Sequence, residues 1–311
     1  MADDLKKRII EEVRKVICGK DEVIRMVMTA MLAGGHILIE DVPGVGKTSM
    51  ALAFAKTMSL DYGRVQFTPD VLPSDILGFS VFDKETKAMH YQKGAIFHNL
   101  LLADELNRAS SRTQSAFLEA MEEGQVTVDE KVYPLPAPFI VFATQNPSGS
   151  SGTSLLPDSQ MDRFTIRISM GYPAHLDEKA MLMSRQDGRD PMKEVEPTCT
   201  AEDMVRMMGE VSKVHVRDRL FDYIVSLSEA TRNHPDLERG ASPRATLALT
   251  SMARAYAYMH DRDFVSEDDI RTVFGPVMSH RLLLTPDAEF NEIKTDTIVE
   301  EIVKKTQMPR T

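Results

Sequence analysis

The segment Val42-Pro-Gly-Val-Gly-Lys-Thr-Ser-Met50 holds the residues with the clearest chemical purpose. Pro43, Gly44, Val45 and Gly46 form a tight turn after a short apolar run, and Lys47, Thr48 and Ser49 open a helical pattern. Glycines let successive backbone N–H groups curl around phosphate oxygens, and a helix N-terminus adds partial positive charge at the same place. Lys47 then reaches the β and γ phosphates of a nucleoside triphosphate, and the Thr48 hydroxyl is placed as a ligand for Mg2+. The plainer alternative is a Gly-rich turn before an ordinary helix, and Asp41 stands where the usual pattern has its first glycine.

Further along, Asn99-Leu-Leu-Leu-Ala-Asp-Glu105 is an apolar strand ending in two acids. A carboxylate at the C-terminal edge of a parallel strand lies in the ligand crevice, where Asp104 can hold the water shell of Mg2+ and Glu105 can orient and deprotonate an attacking water. Acid pairs also occur as solvated strand ends; the order, downstream of the Gly-Lys-Thr turn, favours the chemical role. In FIVFATQNP, Asn146 follows another apolar strand. A neutral amide there can hold the lytic water or a γ-phosphate oxygen without competing charge, although Asn before Pro is also a common turn residue.

The elements that must position these groups are legible from hydrophobic spacing. Leu5, Ile9, Val13 and Ile17 predict an amphipathic helix ending near Cys18-Gly19, and a second helix is expected from Asp21 to Leu32. Residues 36–40, 63–67, 99–104, 139–144 and 164–170 read as buried strands, with helical patterns between several of them. Such alternation predicts an α/β fold, a parallel sheet between helices. Two interruptions, FSVFDKETKAMHY around its DKETK turn and QVTVDEKVY around Asp129-Glu130, read as hairpins. After Gly171-Tyr172-Pro173 the strand signals stop and amphipathic helices take over. Thr200 to Asp203 and Ser266 to Asp269 have capping-box form, Leu220, Ile224 and Leu227 mark a buried face, and Met207, Met208, Met252 and Met259 read as core fillers. The division is therefore residues 1–171 and 172–311.

Bulk composition narrows the class. The 311 residues include 42% hydrophobic and 27% charged side chains, ordinary for a globular protein with room for two domains. No apolar run is long enough to span a bilayer, and the acidic start is unlike a signal peptide, so a cytoplasmic location and no membrane span are expected. Two cysteines, Cys18 and Cys199, supply neither a disulfide framework nor a zinc spacing. A net charge of −10 and the absence of Trp count against a broad nucleic-acid surface.

Taken in order, GVGKT, LLLADELNRA, ATQNP, LLPDSQMDRF and GASPRA resemble the MoxR family of AAA+ ATPases across nearly the whole chain. The resemblance implies an AAA+ P-loop NTPase core with a parallel five-stranded sheet, residues 1–171, followed by an all-α helical lid, residues 172–311. It implies ATP/ADP and Mg2+ as cofactors, and a homo-oligomer, a hexameric ring, in which each ATP site is completed by the neighbouring copy. Arg163 resembles the arginine finger given to that neighbour, Arg244 the sensor 2 arginine of the lid, and Asn146 sensor 1. In the family pattern the position of Arg108 faces the same subunit boundary, which makes Arg108 a second candidate for the role in trans. Ile17, Cys18 and Gly19 resemble the segment lining the adenine pocket, and the two hairpins resemble inserts on the central face of such rings; without the family pattern, a salt bridge from Arg163 to Asp162 or another carboxylate and hairpins that decorate a sheet edge are the simpler alternatives. The implied activity is Mg2+-dependent ATP hydrolysis that remodels or matures a partner protein, including insertion of a metal cofactor, with a von Willebrand factor A domain protein as partner. A nucleotide-gated switch with little turnover and a nucleic-acid motor are the competing functions.

Overall fold

A computed structural model of the chain describes residues 2–145 and 156–308. In chain order the first half contains α1 (Ala2–Arg14), α2 (Asp21–Leu32), β1 (Ile37–Glu40), α3 (Lys47–Thr57), β2 (Tyr62–Gln66), α4 (Pro73–Leu77), β3 (Gly78–Asp83), β4 (Ala88–Lys93), β5 (Leu100–Asp104), α5 (Ser111–Glu123), β6 (Gln125–Val128), β7 (Lys131–Pro134) and β8 (Ile140–Gln145). The second half contains α6 (Asp158–Met161), β9 (Ile166–Ile168), α7 (His175–Ser184), α8 (Ala201–Val211), α9 (Asp218–Arg232), β10 (Leu237–Arg239), α10 (Pro243–Met259), α11 (Glu267–Met278), β11 (Leu283–Leu284), α12 (Pro286–Phe290) and α13 (Thr295–Lys305). Five strands form one sheet in the order β2-β5-β8-β1-β9, and the β2/β5 and β5/β8 pairs are parallel. All five expected strands are present. α1 ends at Arg14, short of the expected Cys18, because the chain leaves the helix through turns that reach Gly19, whose φ is +68°.

The chain clusters into two compact units. The first comprises Met1–Ile24, Leu38–Leu156 and Ser169–Val205. Its central strands are buried on both faces: Leu100, Leu101 and Leu102 of β5 and Ile140, Val141 and Phe142 of β8 have no exposure, as a sheet covered by helices requires. Phe54 of α3 meets Phe142 edge-on at 6.2 Å between centroids, and Phe67 meets Phe117 of α5 at 5.4 Å.

The second unit comprises Arg25–Ile37, Pro157–Ile168 and Arg206–Thr311. Tyr223, Met252 and Phe274 are fully buried in it, and Leu220, Ile224 and Leu227 form the buried face expected for α9. Met207 and Met259 are buried and Met208 half-buried, in keeping with a core-filling role. The Ser266 box at the start of α11 is formed in both directions, and Thr200 and Asp203 bond reciprocally before α8. Two short strands that the sequence did not signal, β10 and β11, pair antiparallel among these helices.

Both expected hairpins are present in the first unit. β3 and β4 pair antiparallel from Gly78↔Lys93 to Asp83↔Ala88, and β6 and β7 from Gln125↔Pro134 to Val128↔Lys131. Asp129 and Glu130 connect the latter with φ of +49° and +64°, the backbone of a two-residue turn matched to strand twist. Tyr91 of β4 and Tyr133 of β7 stack at 3.9 Å with 21° between planes, joining one hairpin to the other.

Candidate functional site

Because β5, β8 and β1 are neighbours in the sheet, the C-terminal ends of these strands lie side by side. The turn after β1 is built on Gly44 and Gly46, with φ of +88° and +100°. These are left-handed conformations that L side chains rarely adopt, so glycine is required by the backbone. Gly46 caps α3, which makes Lys47 its first residue and Thr48 its second. Lys47 is only 8% exposed, and its Nζ donates to the carbonyl of Asp41 at 2.6 Å. Burial lowers the Lys47 pKa, while the charges of Asp41, Asp104 and Glu105 oppose that shift. The loop cation and the acid pair thus share one electrostatic neighbourhood.

Asp41, the departure from the usual first glycine, holds the loop in place. Its Oδ2 accepts from Ser169 Oγ at 2.9 Å and from the N–H groups of Met170 and Gly171 at 2.7 Å each, and its Oδ1 accepts from the Val42 N–H at 2.8 Å. Burial alone would raise the pKa of this carboxyl, yet the bonds donated to its ionised form carry it below the usual range.

The acid pair is held from both neighbouring strands. Thr144 Oγ1 on β8 donates to Asp104 Oδ1 at 2.6 Å and accepts from the Glu105 N–H at 2.8 Å. Arg64 on β2 donates to Asp104 Oδ2 at 2.7 Å, and Gln66 Nε2, two residues on, donates to Glu105 Oε2 at 2.9 Å. Arg108 Nη1 also donates to Glu105 Oε2, at 2.8 Å. Glu105 itself sits at φ 54° and ψ 44°, an unusual conformation for a non-glycine residue and one that concentrates at working sites. Arg64, Gln66 and Thr144 were not singled out from the sequence. Polar residues with period two inside an otherwise apolar strand, as in GRVQF, were the signal available.

Ile17, Cys18 and Gly19 belong to the same unit. A β-carbon placed on Gly46 would stand 3.8 Å from Ile17 Cδ1, so this buried isoleucine borders the phosphate turn. Burial raises the Cys18 pKa and Asp177 raises it further. A side chain at Gly19 would strike the Asp177 carboxylate at 2.0 Å.

Arg163 and Arg244 lie in the second unit. Arg244 is the second residue of α10, whose N-cap Ser242 accepts from the Ala245 N–H. Asp162, next to Arg163, accepts from Ser242 Oγ at 2.9 Å and from Arg281 Nε at 2.8 Å, so its carboxylate serves those two groups. Asn146 lies outside the described residues.

The donors fit the groups expected to bind. The turn presents glycines, a helix N-terminus and an ammonium, which is what phosphate needs. Thr48 and Asp104 offer hard oxygens, the ligand type of Mg2+, which ordinarily keeps several waters and needs few protein ligands. Among the described residues the Asp104 carboxylate accepts from Thr144 and Arg64, and a carboxylate has about four acceptor positions, so it has capacity for the water shell of the ion.

Comparison with known proteins agrees. Residues 36–166 match the model of the ATPase family associated with various cellular activities, and residues 229–302 match the AAA lid domain. The chain is 44% identical to the uncharacterized protein YeaC of Bacillus subtilis over 97% of its own length and 94% of that protein's. It is 35% identical to the chaperone MoxR1 of Mycobacterium tuberculosis, covering 98% of this chain and 82% of the relative. A crystal structure of a proposed ATPase from Cytophaga hutchinsonii superposes with a TM-score of 0.91 at 36% identity, over 99% of this chain and 96% of that one. With its phosphate turn, its acid pair and its lid-type helices in that company, the chain belongs to the MoxR family of AAA+ ATPases.

Proposed function

We propose that the protein binds ATP with Mg2+ at the turn after β1 and hydrolyses it in a ring of identical copies, a hexamer, to remodel a partner protein. The observation that carries this reading is the meeting of Lys47, Asp104 and Glu105 in one electrostatic neighbourhood at adjoining strand ends. Lys47 leaves the Asp41 carbonyl for the β and γ phosphates. Thr48 and Asp104 would hold Mg2+, which would neutralise phosphate charge. Glu105 takes the proton of the attacking water, Asn146 orients that water, and Gln66 and Arg108 fix where the carboxylate stands. Arg244 touches the γ-phosphate of its own copy, and Arg163 completes the site of the next. An arginine supplied in trans is worth on the order of 10³ to 10⁵ in turnover, so an isolated copy binds ATP but hydrolyses it slowly.

For the partner, the relative named a chaperone supports protein remodelling. The first unit also exposes apolar side chains on its hairpins, Phe82 at 56% and Met89 at 57% among them, where a protein surface can dock. A von Willebrand factor A domain protein and a role in metal-cofactor insertion are the partner and task we propose, with the cytoplasm as the location. No helix among the described residues is long and apolar enough to cross a membrane.

The test is steady-state ATPase against protein concentration, with Glu105→Gln and Arg163→Ala measured separately and mixed. The ring reading expects cooperative gain with concentration, binding without turnover in each variant, and partial recovery on mixing. Flat, slow turnover at every concentration would instead indicate a nucleotide-gated switch, and stimulation by DNA with steep salt dependence a nucleic-acid motor.

A further inference from the structure

We infer that Arg281 is a positioning residue for Arg163: its guanidinium clamps the residues on both sides of the finger and fixes the direction in which Arg163 leaves the chain. The inference rests on the proposed role of Arg163 in the neighbouring site.

A guanidinium has five N–H donors, and all five of Arg281 are engaged. Nε donates to Asp162 Oδ1 at 2.8 Å. Nη2 donates to the Asp162 carbonyl at 3.2 Å and to the Phe164 carbonyl at 2.7 Å. Nη1 donates to the Thr165 carbonyl at 3.1 Å and to the Val277 carbonyl of α11. Three of the four carbonyls from Asp162 to Thr165 therefore end on one side chain, and the carbonyl it leaves alone is that of Arg163. His280 Nε2 adds a second donor to the Phe164 carbonyl at 3.0 Å, and the Phe164 ring is fully buried.

Arg281 is only 5% exposed, and burying a cation is costly unless its partners are well placed. Here nearly all of those partners belong to a single four-residue stretch. A general strut between α11 and its surroundings needs no such concentration on the residues that bracket Arg163. Placement matters for a finger, because an error of 1 Å at a charge that must meet the transferring phosphate can cost about 10²-fold in rate. The clamp has a further hold: Ser242 Oγ donates to Asp162 Oδ2 at 2.9 Å, and Ser242 caps the helix that carries Arg244. The stretch bearing the proposed trans arginine and the helix bearing the proposed cis arginine thus share one carboxylate.

The experiment is complementation between copies. Arg281→Lys keeps a cation but has three donors in place of a five-donor fork. It is expected to fold, to assemble and to bind a fluorescent ATP analogue within about twofold of the parent, while kcat falls about tenfold or more at unchanged KM. Glu105→Gln copies cannot hydrolyse ATP themselves but carry an intact finger. Mixed with Arg281→Lys, they should restore activity, because the damaged group acts in the neighbour's site and an intact neighbour replaces it. Arg163→Ala mixed with Glu105→Gln is run alongside. Recovery for both variants supports the proposal. Recovery for Arg163→Ala but not for Arg281→Lys overturns it, since the harm would then lie within the altered copy. No recovery for Arg163→Ala removes the finger reading and the proposal with it. Should Arg281→Lys fail to assemble, Asp162→Asn, which keeps the shape and loses the charge, goes through the same mixing with the same outcomes.

Discussion

The ammonium of Lys47 donates to the main-chain carbonyl of Asp41 at 2.6 Å, so the cation proposed to reach for phosphate starts folded back on its own loop. Binding exchanges that bond for charge-assisted bonds to phosphate, each worth about 1.5–3 kcal/mol. Lys47→Ala should therefore weaken ATP affinity by about 100-fold or more, read by titration with a fluorescent analogue. Affinity within threefold of the parent would exclude Lys47 from the phosphate site.

Asp41 should make the fold sensitive to acid. Its carboxyl is held below the usual range when folded and titrates near 3.9 when unfolded. A depressed folded pKa contributes stability that is fully present above the unfolded value and is lost as pH falls through the folded one. Asp41→Asn turns an acceptor of four donated bonds into a poor one, and is expected to cost about 2 kcal/mol at neutral pH. In thermal melts the gap between parent and variant should be constant from pH 5 to 8 and narrow below about pH 4. A gap that widened in acid would contradict the assignment.

Gln66 and Arg108 converge on Glu105 Oε2 and hold the carboxylate from two sides. Two donors on one oxygen hold the side chain in a single orientation, and orientation is what a group that positions water must keep. Removing one donor by Gln66→Ala should lower ATPase about fivefold, the equivalent of about 1 kcal/mol, with little change in nucleotide affinity. Activity that fell together with affinity would mean that Gln66 serves the fold of the site instead.

Tyr91 and Tyr133 bind one hairpin to the other through their stacked rings. Tyr133→Ala removes about 0.5–1.5 kcal/mol of ring interaction beyond the buried area. Hydrogen exchange should quicken over residues 88–93 and 131–134 while ATP affinity holds. Unchanged exchange in both hairpins would show that the stack contributes nothing to their order.

The sequence made the five sheet strands, both hairpins and the capping boxes of α8 and α11 readable, because each depends on local periodicity or on residues three apart. The phosphate turn was readable for the same reason, as a contiguous motif. What was hidden depends on pairing between distant segments. Arg64 and Gln66 matter because β2 pairs β5 with Gln66 opposite Asp104, a register that no local pattern states. Arg281 lies over a hundred residues from Asp162, and only the fold brings them together. The stack of Tyr91 on Tyr133 likewise joins residues 42 apart in the chain, which no local pattern states.

The Thr144 hydroxyl receives from the Glu105 amide and gives its proton to Asp104, so its orientation has no freedom left. That bridge exists because β5 and β8 run with Ala103 beside Ala143. Pairing slipped by one residue would turn Thr144 to the opposite face of the sheet and dissolve the bridge, with every acid still in the chain. Sheet closure and site competence are in this way one event: a copy that mispaired during synthesis would carry every residue of the site and still be idle, and in the proposed ring it would also silence its share of the turnover.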